Sequence, residues 1–125
     1  MNSISFFEIQ SSNPERECKF YEAVFGWQFT REVVVPIEYY RIQTGGIPGA
    51  LLARPAKVPP KAHGTNAFNC SVEVSNIEAT EKAILAHGGK VAMPKFPIPG
   101  QGWQGYYMDA DRNVFGVFQP DTEAK

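Results

Sequence analysis

A strand-and-helix pattern occurs twice in this chain of 125 residues. In FFEIQSSNPERECKFYEAVFGW, Phe6 to Trp27, apolar and polar residues alternate and an Asn-Pro pair follows. Apolar residues then recur at helical spacing until a glycine. NCSVEVSNIEATEKAILAHGG, Asn69 to Gly89, repeats this order. Asn13 and Asn76 are 63 residues apart, and so are Gly26 and Gly89. Each copy must bury one face of a sheet against its own helix, which leaves few architectures open.

The residue chemistry fits that plan. Phe7 and Ile9 share one strand face, while Phe6, Glu8 and Gln10 share the other. Asn13 offers a side-chain cap, Pro14 suits the first helical position, and Glu15 suits the positive end of the helix dipole. Cys18, Phe20, Tyr21, Val24 and Phe25 form an apolar stripe, and Gly26 ends the helix. In the second copy Cys70, Val72 and Val74 oppose Asn69, Ser71 and Glu73. Ser75 or Asn76 caps the next helix, and Ile77, Ile84 and Leu85 supply its stripe.

Strands are predicted after each helix, at 27–35, 38–44 and 49–54, then at 90–93, 104–109 and 114–119. The fold class is therefore α+β, with two βαβββ modules. The boundaries are a module at 1–54, an extended linker at 55–66, a module at 67–120 and a tail at 121–125. Aligning Gly49 with Gly116 adds about four residues to the second half, assigned to the loop PKFPIPGQGW. One helix cannot cover both faces of a four-stranded sheet. The uncovered faces are expected to border an open cleft between curved sheets, built within one chain or by strands exchanged in a homodimer.

Composition excludes several partners. A formal charge of −1 with scattered Lys and Arg gives no field for nucleic acid. No apolar run reaches the roughly 18 residues of a membrane span, and the start MNSISFFEIQ lacks the pattern of a signal peptide. Cys18 and Cys70 lie in apolar patterns, as buried reduced thiols of a cytoplasmic protein would.

These segments, with TGGIPGALLARP, PIPGQGW and YMDADRNVFGVFQP, resemble the vicinal oxygen chelate superfamily over about residues 4–120. That superfamily holds glyoxalase I, extradiol dioxygenases, fosfomycin resistance enzymes and bleomycin resistance proteins. Within it, the wording is similar to the lactoylglutathione-lyase-related subgroup. The resemblance implies a glyoxalase/bleomycin resistance fold. In metal-dependent members it implies four His or Glu ligands on the first and last strands of each module. The corresponding positions are Phe6, Asn69, Gly49 or Ala50, and Gly116. None is a metal donor of the required kind, so no metal and no cofactor is expected.

Glu8 and Glu73 are the acid–base candidates, since desolvation between aromatic walls would raise a carboxyl pKa towards neutrality. The residues expected to line a ligand are Phe6, Gln10, Tyr40, Asn69, Ser71, Trp103, Tyr107, Gly116 and Phe118. His63 and His87 belong to no ligand spacing and read as structural. Asp109 to Asn113 reads as a hairpin turn; the resemblance, in which a glycine usually stands at the place of Arg112, implies positive φ there. The expected function is metal-free binding of a small organic molecule. A glyoxalase-type lyase or isomerase using Glu8 or Glu73, or a metabolite-sensing module, are the competing classes.

Overall fold

A computed structural model describes residues 6–54 and 69–125. The chain divides into two compact units, Met1–Val58 and Pro59–Lys125, and each holds one βαβββ module. The expected linker and His63 lie outside the described residues.

The first module runs β1 (Phe7–Ser11), α1 (Pro14–Phe25), β2 (Gln28–Arg31), β3 (Tyr39–Gln43) and β4 (Gly49–Ala53). Its sheet order is β1-β4-β3-β2, with β1 parallel to β4 and the other pairs antiparallel. Asn13 caps α1 by accepting from the Arg16 N–H, and Gly26 closes it at φ 72°. Helix α1 covers the sheet face that carries Phe7, Ile9 and Ser11. There Trp27 stands 5.6 Å from the Phe7 ring and stacks on Tyr21 at 5.5 Å. Phe20, Tyr21, Ile42 and Leu51 form the buried core.

The second module runs β5 (Ser71–Glu73), α2 (Ile77–Ala86), β6 (Lys90–Ile98), β7 (Gly102–Met108) and β8 (Val114–Pro120). Its sheet order, β5-β8-β7-β6, repeats the topology of the first. Asn76 caps α2 through the Ala79 N–H. Tyr107 is fully buried and donates to Glu81 of α2 at 3.1 Å, while Gln119 Oε1 accepts the Ile77 N–H at 2.8 Å. These contacts put α2 on the Val72, Tyr107 and Val117 face.

Three expectations need correction. Strand β6 continues through Pro94 and Pro97 to Ile98, instead of ending at Met93. It is an edge strand, so the missing proline donors leave inner pairing intact, and the register shifts between Val91 and Phe96 absorb the irregularity. Strand β2 stops at Arg31, and Val33 and Val34 are 81% and 83% exposed in the loop that follows. The inserted length is three residues, not four: β1 pairs each residue with one 42 further along, as Phe7 with Gly49, and β5 with one 45 further along, as Ser71 with Gly116.

Of the Gly88-Gly89 pair that follows α2, Gly88 is the left-handed residue, at φ 93°. Gly89 is instead held by packing, since a Cβ there would meet Ile84 Cγ2 at 2.5 Å. Among the described residues no helix is long and apolar enough to cross a membrane.

Candidate functional site

The register sorts the candidate side chains by sheet face. In the first module Glu8, Ala50, Arg41 and Thr30 form one row across the helix-free face. Gln10, Leu52 and Tyr39 form the next. Glu8 is exposed there, and Arg41 pairs with Glu32 at 2.9 Å. Phe6 precedes β1 and is 39% exposed. Tyr40 is a correction. It pairs with Leu51 and faces the helix side, where its hydroxyl donates to Glu38 at 2.9 Å and Arg31 covers its ring at 5.4 Å. Successive strand residues point to opposite faces, so the open-face tyrosine is its neighbour Tyr39.

In the second module Ser71, Gly116 and Tyr106 form a row on the helix-free face, and Glu73, Phe118, Gln104 and Phe96 form the next. Ser71 and Glu73 are exposed, as is Asn69 just before the strand. Gln104 is the centre of this face. It lies on β7, and its Nε2 donates to Ser71 Oγ on β5 at 3.0 Å, passing over Gly116 on the intervening strand β8. A Cβ at Gly116 would stand 2.2 Å from Ser71 Oγ and 2.5 Å from Gln104 Nε2, so only glycine admits the bridge. Aromatic rings flank it. Phe96 and Tyr106 stack at 6.4 Å, and Phe118 leans over Gly102, where a Cβ would meet its Cζ at 2.7 Å.

Trp103 and Tyr107 are further corrections, because both share the helix-covered face. The Trp103 Nε1–H donates to Asp121 at 3.1 Å, and Lys95, paired with Glu78 of α2, lies 4.8 Å from the ring centroid. The Asp121 carboxyl is held below its ordinary value, by the Glu123 backbone N–H first and the Trp103 donor second. Burial, with Glu81 beside it, pushes the Tyr107 hydroxyl far above the usual tyrosine range. Neither residue reaches the open face. Gln104, Tyr106 and Phe96 do, and were missed. The period-two alternation of β7 groups Gln104 with Tyr106, but only the pairing with Ser71 and Gly116 shows which way they point.

The metal positions implied by the fold do not fit an ion. Phe6, Gly49, Ala50 and Gly116 carry no donor atom in their side chains, and Asn69 offers one neutral amide oxygen. Beside them, Glu8 in register with Ala50 adds a single carboxylate, and Ser71 in register with Gly116 a hydroxyl already bonded to an amide. Among the described residues no three His, Cys, Asp or Glu gather closely enough to hold a cation. His87 Nδ1 lies 2.8 Å from the Ala83 carbonyl of its own helix. The Asp109 carboxylate accepts from the backbone N–H groups of Asp111 and Asn113 and from the Asn113 side chain, all within the hairpin turn. Cys18 is buried as expected, whereas Cys70, just ahead of β5, is exposed. A separate groove of about 580 Å³ opens in the first module among Phe25, Trp27, Gln28, Gln43, Gly45 and Pro48, and contains none of the expected site residues.

Known proteins agree with this architecture. The chain is 32% identical over 92 residues to a glyoxylase-like domain-containing protein of Didymella fabae, covering 70% of this chain and 69% of that one. It is 25% identical over 117 residues to CFP32 of Mycobacterium tuberculosis, which carries a glyoxylase name, covering 92% of this chain. The chain spans 44% of that relative's length. In structure it is similar to the fosfomycin resistance protein FosX of Listeria monocytogenes, with a TM-score of 0.77, 13% identity and coverage of 97% and 93% of the two chains. Residues 3–117 match a single family across both modules, and the chain belongs to the Glyoxalase/Bleomycin resistance protein/Dioxygenase superfamily.

Proposed function

We propose that this protein binds a small organic molecule on the helix-free sheet faces, without a metal ion. One observation carries the reading: the position facing Ser71 on β8 is Gly116, and its space is crossed by the Gln104 amide. A coordinating site at that place would need an anionic oxygen or imidazole there. An amide–hydroxyl bridge between aromatic rings instead suits directional recognition of an organic ligand.

A thermal-shift screen of small molecules, run beside metal analysis of protein purified without chelators, tests this. A specific ligand raises the melting temperature by mass action while bound transition metal stays well below one equivalent. A stoichiometric metal that chelators remove with loss of ligand binding would overturn it.

The superfamily's enzymatic members motivate the second reading, a glyoxalase-type lyase or isomerase with Glu8 or Glu73 as base. Both carboxylates are exposed on helix-free faces. Turnover of a methylglyoxal–glutathione adduct that is lost in Glu8→Gln or Glu73→Gln would favour it.

A further inference from the structure

Resting on the small-molecule reading, we propose that the helix-free face of the second module takes an uncharged aromatic carboxamide, with its amide held by Ser71 and Gln104. Gln104 is only 6% exposed. Its Nε2 reaches Ser71 Oγ at 3.0 Å and the Gly105 carbonyl at 3.4 Å, which uses both amide hydrogens. Among the described residues nothing donates to Gln104 Oε1, and nothing accepts the Ser71 hydroxyl hydrogen. The bridge therefore presents one acceptor and one donor side by side.

A carboxamide answers that pair. Its N–H donates to Gln104 Oε1 while its carbonyl accepts from Ser71. A carboxylate has acceptors only. It would oppose Gln104 Oε1 and meet the negative charge of Glu73, which is two residues along β5 from Ser71 on the same face. Lys90 shares this face, but on the far edge strand β6. An ammonium has donors only, which leaves the Ser71 hydrogen without an acceptor. The aromatic requirement comes from the rings on either side of the bridge, Phe118 over Gly102 and Tyr106 stacked with Phe96.

The test titrates the full chain with benzamide, benzoate and benzylamine while following the Gln104 side-chain amide by nitrogen-15 NMR. Benzamide should shift that resonance and bind about tenfold or more tightly than either charged probe. Ser71→Ala, at an exposed position, should weaken benzamide by about fivefold. Benzoate or benzylamine binding equally well, or benzamide binding unchanged in Ser71→Ala, overturns the proposal. If the wider compound screen yields ligands and benzamide does not bind, the carboxamide assignment fails alone. If the screen yields none, the small-molecule reading fails with it.

Discussion

The carboxylate of Glu17, in the first turn of α1, is fully buried and accepts a hydrogen bond from the hydroxyl of Ser11 at the end of β1. Arg16 closes the other side with two contacts, at 2.9 and 3.1 Å, and the Asn13 N–H donates to Ser11 Oγ at 2.9 Å. The strand-to-helix corner is thus fastened by a charge-assisted network, with the N-terminal end of the helix dipole favouring the anion.

Glu17→Ala should accordingly destabilise the protein by about 1–3 kcal/mol, because the buried Ser11 hydroxyl loses its acceptor. Ser11→Ala should cost less than Glu17→Ala, since Arg16 still pairs with the carboxylate. Urea denaturation of both variants reads this directly. Equal stability of Glu17→Ala and the parent chain would remove the network from the account of the fold.

At the β7–β8 hairpin Arg112 adopts φ 63°, as its turn demands. A side chain in that region costs about 1 kcal/mol that glycine does not pay. Arg112→Gly should therefore raise stability by only a few tenths of a kcal/mol, since the added freedom of the unfolded chain, roughly 0.4–1 kcal/mol, offsets much of that strain. Ligand binding should not change. A melting temperature that stays level or falls would mean that contacts of Arg112 outweigh the backbone strain.

The residues that sequence reads well are those whose role is set by their own backbone. Asn13, Asn76 and Gly26 all occupy the cap positions that their chemistry implies. Side-chain direction on the strands was harder to read. Tyr39 and Tyr40, and likewise Tyr106 and Tyr107, are adjacent pairs in which either member suits a site until register fixes the face. The Gln104–Ser71 bridge was not legible at all, because it joins residues 33 apart across a strand and depends on Gly116 lacking a side chain. Strand β6 escaped for the opposite reason: prolines are strong local breakers, and only its edge position makes them harmless.

The cysteines should differ sharply in reactivity. Cys70 is exposed, whereas burial first, and then the charges of Glu38, Glu17 and Glu22, pushes the Cys18 thiol up to about 12. A thiol-specific disulfide reagent should label Cys70 in the native protein and Cys18 only after unfolding. The same shift fixes a pH dependence. Below about 9 the thiol is neutral in both states; as pH rises towards about 12 only the unfolded chain ionises, so stability declines over that window. Tyr107 acts in the same direction above its ordinary range, because its raised pKa keeps it protonated in the folded state. Cys18→Ala should reduce the slope of stability against pH between 9 and 12. An unchanged slope would place the alkaline transition elsewhere.

Gly116→Ala tests the bridge at its crossing point. The new methyl would lie 2.2 Å from Ser71 Oγ and 2.5 Å from Gln104 Nε2, so the two side chains must separate. Both atoms are side-chain termini that can rotate away, and the cost in stability should stay near 1–2 kcal/mol. Gly105→Ala is the matched control. Its Cβ meets Tyr107 Oη at 2.8 Å on the opposite, helix-covered face, so it should destabilise the core without parting Gln104 from Ser71. The distinguishing measurement is the Gln104 side-chain amide signal together with ligand affinity. Both should be lost in Gly116→Ala and retained in Gly105→Ala at comparable stability. Retention of both in Gly116→Ala would show that the face does not depend on the bridge, and the assignment of Gln104 would fall.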